Sequence, residues 1–327
     1  MAGFARKYTP QDIRLLAAMD ERHDAPCLPR RTWKNCSGAW AQHQIRPMRW
    51  SVTAGWGIVR ACCGLLPPNS YTRQRHHFEK TRSKPSSIGE HRKPRPDGKP
   101  GYIRINTVHQ GDLDKRKGVY HINSIDEVTQ FEVVCTVEKI SERYLIPALE
   151  QLLENFPFQV LGFHSDNGSE CINKTGAKLL EKLRIEFTKS RSRQTNDNAL
   201  AESTNGAVVR KLFGHTHIPQ HWAPLINNFN QQYLHPYINF HRPCFFSETL
   251  TDHTGKQRKV YRYENMMTPY DKLKSLPNAK DYLKPDSSFE ILDRVTHQIS
   301  DNTAVDQLQK TRRKLFETIH GWTLKTG

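Results

Sequence analysis

The chain has 327 residues, enough to bury a sizeable core and to divide into two or three domains, and its 49 Lys and Arg against 33 Asp and Glu leave a net charge of +16. That balance points to a polyanion such as nucleic acid, and no apolar run approaches the roughly 18 residues that a membrane span needs. Seven cysteines without a repeating spacing do not form a disulfide framework, and the N-terminus "MAGFARKYTPQDIRLL" lacks the apolar core of a signal peptide, so a cytoplasmic chain is expected.

Positive charge concentrates early. Residues 1–100 hold 19 Lys and Arg against 7 Asp and Glu, whereas residues 101–327 hold 30 against 26. A basic surface kept for solubility would leave the same totals, so the order of segments carries more. Residues 8–22, "YTPQDIRLLAAMDER", read as a short amphipathic helix with Thr9 as N-cap and Pro10 at the first helical position. Residues 27–70 carry four of the six tryptophans and four of the seven cysteines, with neither a helical nor a strand period. Residues 71–100, rich in Lys, Arg, Pro, Ser and Gly, read as an extended basic linker that follows a phosphate backbone, or as an inert spacer.

From Gly101 the pattern becomes regular. "YIRINTVH" predicts a strand, "GDLDKRKG" a turn, "VYHINSID" a second strand and "FEVVCTVE" (131–138) a third, which together make an antiparallel meander. A turn near residues 114–115 would place Asn106 opposite about residue 123. Residues 141–156 predict a helix with Ser141 as N-cap and Leu145, Leu149 and Leu152 on one stripe. "FQVLGFHSD" (158–166) reads as a strand buried on both faces, followed by a helix in "KTGAKLLEKL" and a short strand at Ile185 to Thr188. Residues 196–214 predict a helix capped near Asn196 or Asp197 and closed by Gly214. Aromatic-rich, loop-heavy sequence is expected after it, with Tyr233, Tyr237, Phe240 and His241 as core rather than a base-stacking platform, and residues 287–319 are expected to be mainly helical.

Two carboxylates stand out. Asp166 closes a buried strand in "GFHSDNGSE" and Glu202 lies within the helix of "NALAESTNG", 35 residues between them. Strand ends of α/β sheets are where sites are built, and two carboxylates converging there suit a hard dication such as Mg²⁺. Taken singly, Asp166 also suits an Asx-turn with Asn167 and Gly168, and Glu202 a solvated helix face.

Together, "HSDNGSE", the gap and "NDNALAESTNG" resemble the second and third members of the Asp-Asp-Glu signature of integrase-type transposases, which share the retroviral-integrase catalytic core. "VHQGD", "GVYHINSIDEVTQ", "YINFHRPC" and "YRYENMMTPYDKLKSLP" are similar to transposases of bacterial insertion sequences. The resemblance covers about residues 71–320. It implies an α/β fold, a ribonuclease-H-like mixed five-stranded sheet flanked by helices. It also implies DNA cleavage and strand transfer with two Mg²⁺ or Mn²⁺ ions, double-stranded DNA (element ends and target) as partner, a homo-oligomer on DNA, no membrane, and the bacterial cytoplasm and nucleoid as the place of action. The implied domains are an N-terminal region over 1–70, where a degenerate helix-turn-helix belongs, a basic linker over 71–100, a catalytic core over 101–245 and a C-terminal region over 246–327.

Carried over residue by residue, Asp166 is the second acid, Glu202 the third, and the first position falls on Asn106, so catalytic and metal-holding roles are assigned to Asp166, Glu202 and the degenerate Asn106. An amide keeps the shape of Asp but replaces the anion with a carbonyl and an NH₂ donor, which weakens metal binding. Asp112, Asp114 and Asp126 are poorly placed to substitute. Phosphate contact is assigned to Lys189, Arg191, Arg193, Arg210 and Lys211, against a solvated face. The disorderly stretch 27–70 fits a frameshifted segment, which the other reading frames of the gene would test. Zinc is disfavoured there, because Cys62 and Cys63 are adjacent and no Cys-x₂-Cys pair exists.

Overall fold

The computed structural model describes residues 90–165, 174–191, 199–251, 255 and 257–321. The expected helix at 8–22, the stretch 27–70 and most of the linker lie outside them. Two compact units divide the chain: one comprises Gln74–Pro243 with Thr268–Gly327, the other Met1–Arg73 with Cys244–Met267.

The first unit is built on a six-stranded sheet. Its strands are β1 (Glu90–His91), β2 (Tyr102–His109), β5 (Tyr120–Asp126), β6 (Glu132–Val137), β7 (Gly162–Ser165) and β8 (Glu186–Lys189), in the spatial order β1-β8-β7-β2-β5-β6. A two-residue side hairpin, β3 (Asp112–Leu113) and β4 (Arg116–Lys117), turns between β2 and β5, with Asp114 and Lys115 at positive φ. β2, β5 and β6 form the antiparallel meander, while β7 joins β2 in parallel, followed by β8 and β1. Without β1, the five remaining strands, counted along the chain, stand in the order 3-2-1-4-5 with the second reversed. This is the ribonuclease-H-like arrangement. The sixth strand comes from the end of the expected linker, where the His91 ring Nδ1 also lies 3.0 Å from Ser190 O.

Strand alternation gives the sheet two unlike faces. Ile103, Ile105, Ile122, Val133 and Cys135 point to an apolar face, covered by helix α1 (Glu142–Asn155) through Leu145, Ala148, Leu149 and Leu152. Each of those fully buried leucines contributes about 1.5–3 kcal/mol by leaving water. Ser141 stands at the N-cap in extended conformation, but its side chain makes no capping bond. Phe131, Phe156, Phe158 and Phe240 close this core edge to face or tilted. β7 starts later than the apolar run predicts. Residues 157–159 are taken by the C-terminal part of the unit: Lys284 N donates to Pro157 O, Gln159 N to Tyr282 O, and Phe158 bridges Leu283. Helices α2 (Lys174–Lys182), α3 (Ala199–Thr204), α4 (Phe289–Gln298) and α5 (Asp301–His320) complete the expected pattern.

Residues 220–241 correct the expectation of loops. They are helical almost throughout: a 3₁₀ turn at Gln220–Trp222, an α segment at Ala223–Phe229 and π segments at Asn230–Leu234 and Tyr237–His241. The asparagines and histidines that lower its helix propensity have a tertiary partner. β6 is an edge strand, and the outward N–H and C=O groups of Glu132, Val134 and Thr136 meet these side chains instead of water. Asn239 accepts from Glu132 N and donates to Glu132 O, both at 2.8 Å. Asn227 treats Thr136 in the same way, both at 2.7 Å. At Val134 two residues divide the task, with His235 Nε2 3.0 Å from the amide N and Asn230 Nδ2 donating to the carbonyl at 3.1 Å. Burial holds His235 down to about 4, so its ring is neutral, and its Nε2 lies 3.0 Å from both the amide N and the carbonyl O of Val134, accepting from the one or donating to the other according to the tautomer. Twelve residues of α-helix would advance about 18 Å against about 13 Å for four strand residues. The π turns close i→i+5 and wind more chain into each turn, bringing helix and strand closer to step.

The second unit, within the described residues, is one antiparallel ribbon of β9 (Cys244–Thr251) and β10 (Gln257–Met267).

Candidate functional site

The site is built on the polar face. Arg104, Asn106 and Val108 of β2 stand opposite Ile125, Asn123 and His121 of β5, which stand opposite Glu132, Val134 and Thr136 of β6. The pairing of Asn106 with Asn123 is the one that the turn at 114–115 predicts. On the other side of β2, Ile105 pairs with Ser165, so the central strand runs beside the strand end that leads to residue 166. Asp166 itself lies outside the described residues.

Helix α3 packs over β2 and β5 and carries Glu202 on its exposed side. The chain stays helical through a π segment (Asn205–Arg210) and a last turn (Lys211–Phe213), ending at Gly214 with φ 68°. Asn123 ties this helix down: its Nδ2 donates to Thr204 Oγ1 at 3.1 Å and to Asn205 Oδ1 at 2.9 Å. Farther along, the His121 ring stacks on Phe213 with centroids 4.4 Å apart and meets Thr136 Oγ1 at 2.9 Å through Nδ1. Burial, then Arg210 and His109, holds His121 down to about 3, so it is neutral.

Asn106 is half-buried and its Oδ1 accepts from the N–H of Thr107 at 2.7 Å. Glu202 has no hydrogen-bond partner among the described residues. The acids near Asn106 in sequence are committed elsewhere. Asp126 pairs with Ile103, and its carboxylate is clasped by the N–H groups of Gly101, Val128 and Thr129 and by the Thr129 hydroxyl. Burial outweighs those bonds and lifts it to about 6. Asp112 lies beyond the end of β2, 3.3 Å from His109 Nε2.

The basic residues separate by position. Arg210 is turned inward: Nη1 donates to Gln110 Oε1 at 2.6 Å, and Nη2 to His109 O at 3.1 Å. Lys189 is fully buried, Lys211 is half-buried and Arg191 is exposed, while Arg193 lies outside the described residues. Sequence reasoning missed Asn123 and Glu132. Glu132 is buried beside Asn123 and Arg242, and desolvation lifts it to about 7 against the pull of both. Polar residues inside the strands "VYHINSID" and "FEVVCTVE" were the available signal.

The fold and this face define a ribonuclease-H-like core with an amide on the central strand and a carboxylate on the helix above it. Among the described residues no three His, Cys, Asp or Glu side chains form a cluster able to hold a metal ion, and no helix is long and apolar enough to cross a membrane.

No family model matches the chain. Over 120 residues it is 32% identical to a protein of Sinorhizobium fredii described as uncharacterized protein y4rM, covering 36% of this chain and 34% of that one, so it spans about a third of the curated relative's length. Among solved structures it is similar to the catalytic core domain of BIV integrase, at 17% identity over 35% of this chain and 66% of that chain, with a TM-score of 0.27. The HTLV-2 integrase catalytic core domain in complex with magnesium, in its dimeric form, shares 17% identity over 48% of this chain and 93% of that chain, with a TM-score of 0.32. A chain of the simian T-cell lymphotropic virus intasome in complex with PP2A regulatory subunit B56 gamma aligns over 73% of each chain at 14% identity, with a TM-score of 0.37.

Proposed function

We propose that the chain is an integrase-type DNA transposase of the insertion-sequence kind, a polynucleotidyl transferase whose strand cleavage and strand transfer are impaired at Asn106. The observation that carries this reading is the register. Asn106 of the central strand neighbours the strand end before Asp166, and the helix bearing Glu202 packs over the same strand.

The described donors fit a divalent ion incompletely. Glu202 offers an exposed carboxylate with no hydrogen-bond partner among the described residues, while Asn106 offers only a neutral carbonyl that already accepts from Thr107. Asp166 would be the third. Mg²⁺ or Mn²⁺, two ions in the full reading, would supply Lewis acidity toward the phosphoryl group and a more acidic attacking water or 3′-hydroxyl. Glu202 and Asp166 would hold charge there, and Asn106 would contribute a dipole where an anion belongs. Exposed Arg191 and half-buried Lys211 suit phosphate contact, whereas Lys189 and Arg210 serve the interior. Duplex element ends and target DNA are the partners of this reading, bound by a homo-oligomer.

A second reading rests on the same asparagine: a catalytically inactive DNA-binding remnant. Strand transfer on labelled duplex ends, with Mg²⁺ or Mn²⁺, distinguishes the two. An Asn106→Asp variant keeps an acceptor for the Thr107 N–H and restores the charge. Impairment predicts that the variant is at least about 100-fold more active than the natural chain, roughly 2.7 kcal/mol of transition-state stabilisation. Equal activity would refute the impairment, and no activity in either with DNA binding retained would favour the remnant.

A further inference from the structure

The ribbon of the second unit has two dissimilar faces. β9 and β10 pair from Gln257↔Thr251 to Tyr261↔Ser247, after which the register slips until Met266 meets Phe245. The residues from Arg262 to Asn265 form the bulge, a device that bends and twists a ribbon. One face presents Glu248, Leu250, Arg258, Val260 and Arg262, with Arg262 Nε 3.4 Å from Glu248 Oε2. The other presents Ser247, Thr249, Thr251, Gln257, Lys259 and Tyr261, and each of these six is exposed, Tyr261 at 48%. None of them is acidic. Each carries an O–H or N–H donor, and the one formal charge is positive.

We propose that this donor face docks on duplex DNA, its hydroxyls, amide and ammonium meeting phosphate and sugar oxygens. The inference rests on the DNA-binding reading above and names a contact surface for it. Chemical complementarity selects the occupant. The duplex backbone presents acceptors and negative charge, and side chains of these types supply much of the backbone contact that positions proteins on DNA. A protein partner would want an apolar centre, which this face lacks. A second copy adding a strand would use an edge of the ribbon and not this face. The dimensions suit the purpose, since the strand from Gln257 to Tyr261 reaches about 14 Å, somewhat under half a helical turn of B-DNA, and the major groove admits a two-stranded ribbon.

The test uses the full chain with a photo-crosslinking p-benzoylphenylalanine in place of Tyr261, and a second chain carrying it in place of Arg258 on the opposite face. With a labelled duplex of about 30 base pairs, crosslinking from position 261 should exceed that from position 258 at least about fivefold. Lys259→Ala should reduce the slope of log affinity against log salt by about 1, with Glu248→Gln as a control that does not. Equal crosslinking from the two faces, or crosslinks from 261 only to another copy of the chain, would overturn the proposal while the chain still binds DNA. A chain that binds no duplex at all would remove the DNA-binding reading together with this one.

Discussion

Replacing Asn239 by leucine tests whether the edge of the sheet is held by side-chain amides. Asn239 is fully buried; its Oδ1 accepts from Glu132 N, and its Nδ2 donates to Glu132 O and His235 O at 2.8 and 3.0 Å. Leucine has a comparable volume and improves helix propensity by up to about 0.5 kcal/mol. It leaves one backbone N–H and one C=O buried without a partner, at about 1–3 kcal/mol each. The net loss should be roughly 3 kcal/mol, which for a unit of this size lowers Tm by about 6–12 °C. Urea unfolding followed by far-UV circular dichroism, natural chain against variant, reads this directly. A loss below about 0.5 kcal/mol would mean that water satisfies the edge strand equally well, and the ladder argument would fall.

Two further outcomes follow from the polar face. Burial holds Glu132 at about 7 against an ordinary glutamate value of 4.5, so between these the native state keeps a proton that the unfolded chain releases. Its contribution is therefore fully present below pH 4.5 and is lost as pH rises through 7; Glu132→Gln should remove this dependence and gain on the order of 3 kcal/mol over the parent above pH 7. The parent-minus-variant difference in urea midpoint against pH measures it, and a difference that does not change between pH 4.5 and 7 contradicts the assignment. Asn123→Leu unties Thr204 and Asn205 from β5, at a cost of about 1–2 kcal/mol. Amide hydrogen exchange should quicken about tenfold across Ala201–Asn205 and stay unchanged in α1, whereas uniform quickening would indicate global destabilisation instead.

The parts of the fold legible in the sequence are those fixed by local rules. The alternation in β2 and β5 and the turn residues at 114–115 set the register of Asn106 against Asn123, because a two-residue period and a tight turn leave little choice. Residues 220–241 were not legible as helix. Their asparagines and histidines disfavour helix locally, and Asn227, Asn230, His235 and Asn239 bond instead to a strand about a hundred residues earlier in the chain. Charge misled in a related way: Arg210 and Lys189 look like surface cations in sequence, yet the fold supplies Arg210 with a carbonyl and an amide oxygen and buries Lys189. Of the candidate site, the register and the helix carrying Glu202 could be read in advance. The bonds from Asn123 could not, since they depend on how that helix crosses the sheet.

The helix that carries Glu202 has a joint. Its first part is held by Asn123 at Thr204 and Asn205, and its last part by the buried Val208, Val209, Leu212 and Phe213. Each residue of an α-helix turns the side chains by about 100°, so two anchored ends rarely agree in angle. The π segment Asn205–Arg210 overlaps both anchors, and its extra residue takes up the disagreement where only Gly206 and Ala207 separate them; a Cβ at Gly206 would meet nothing within 4 Å. The joint acts as a phase corrector: the angle at which Glu202 is presented is set by the Asn123 anchor and is decoupled from the packing of the apolar end.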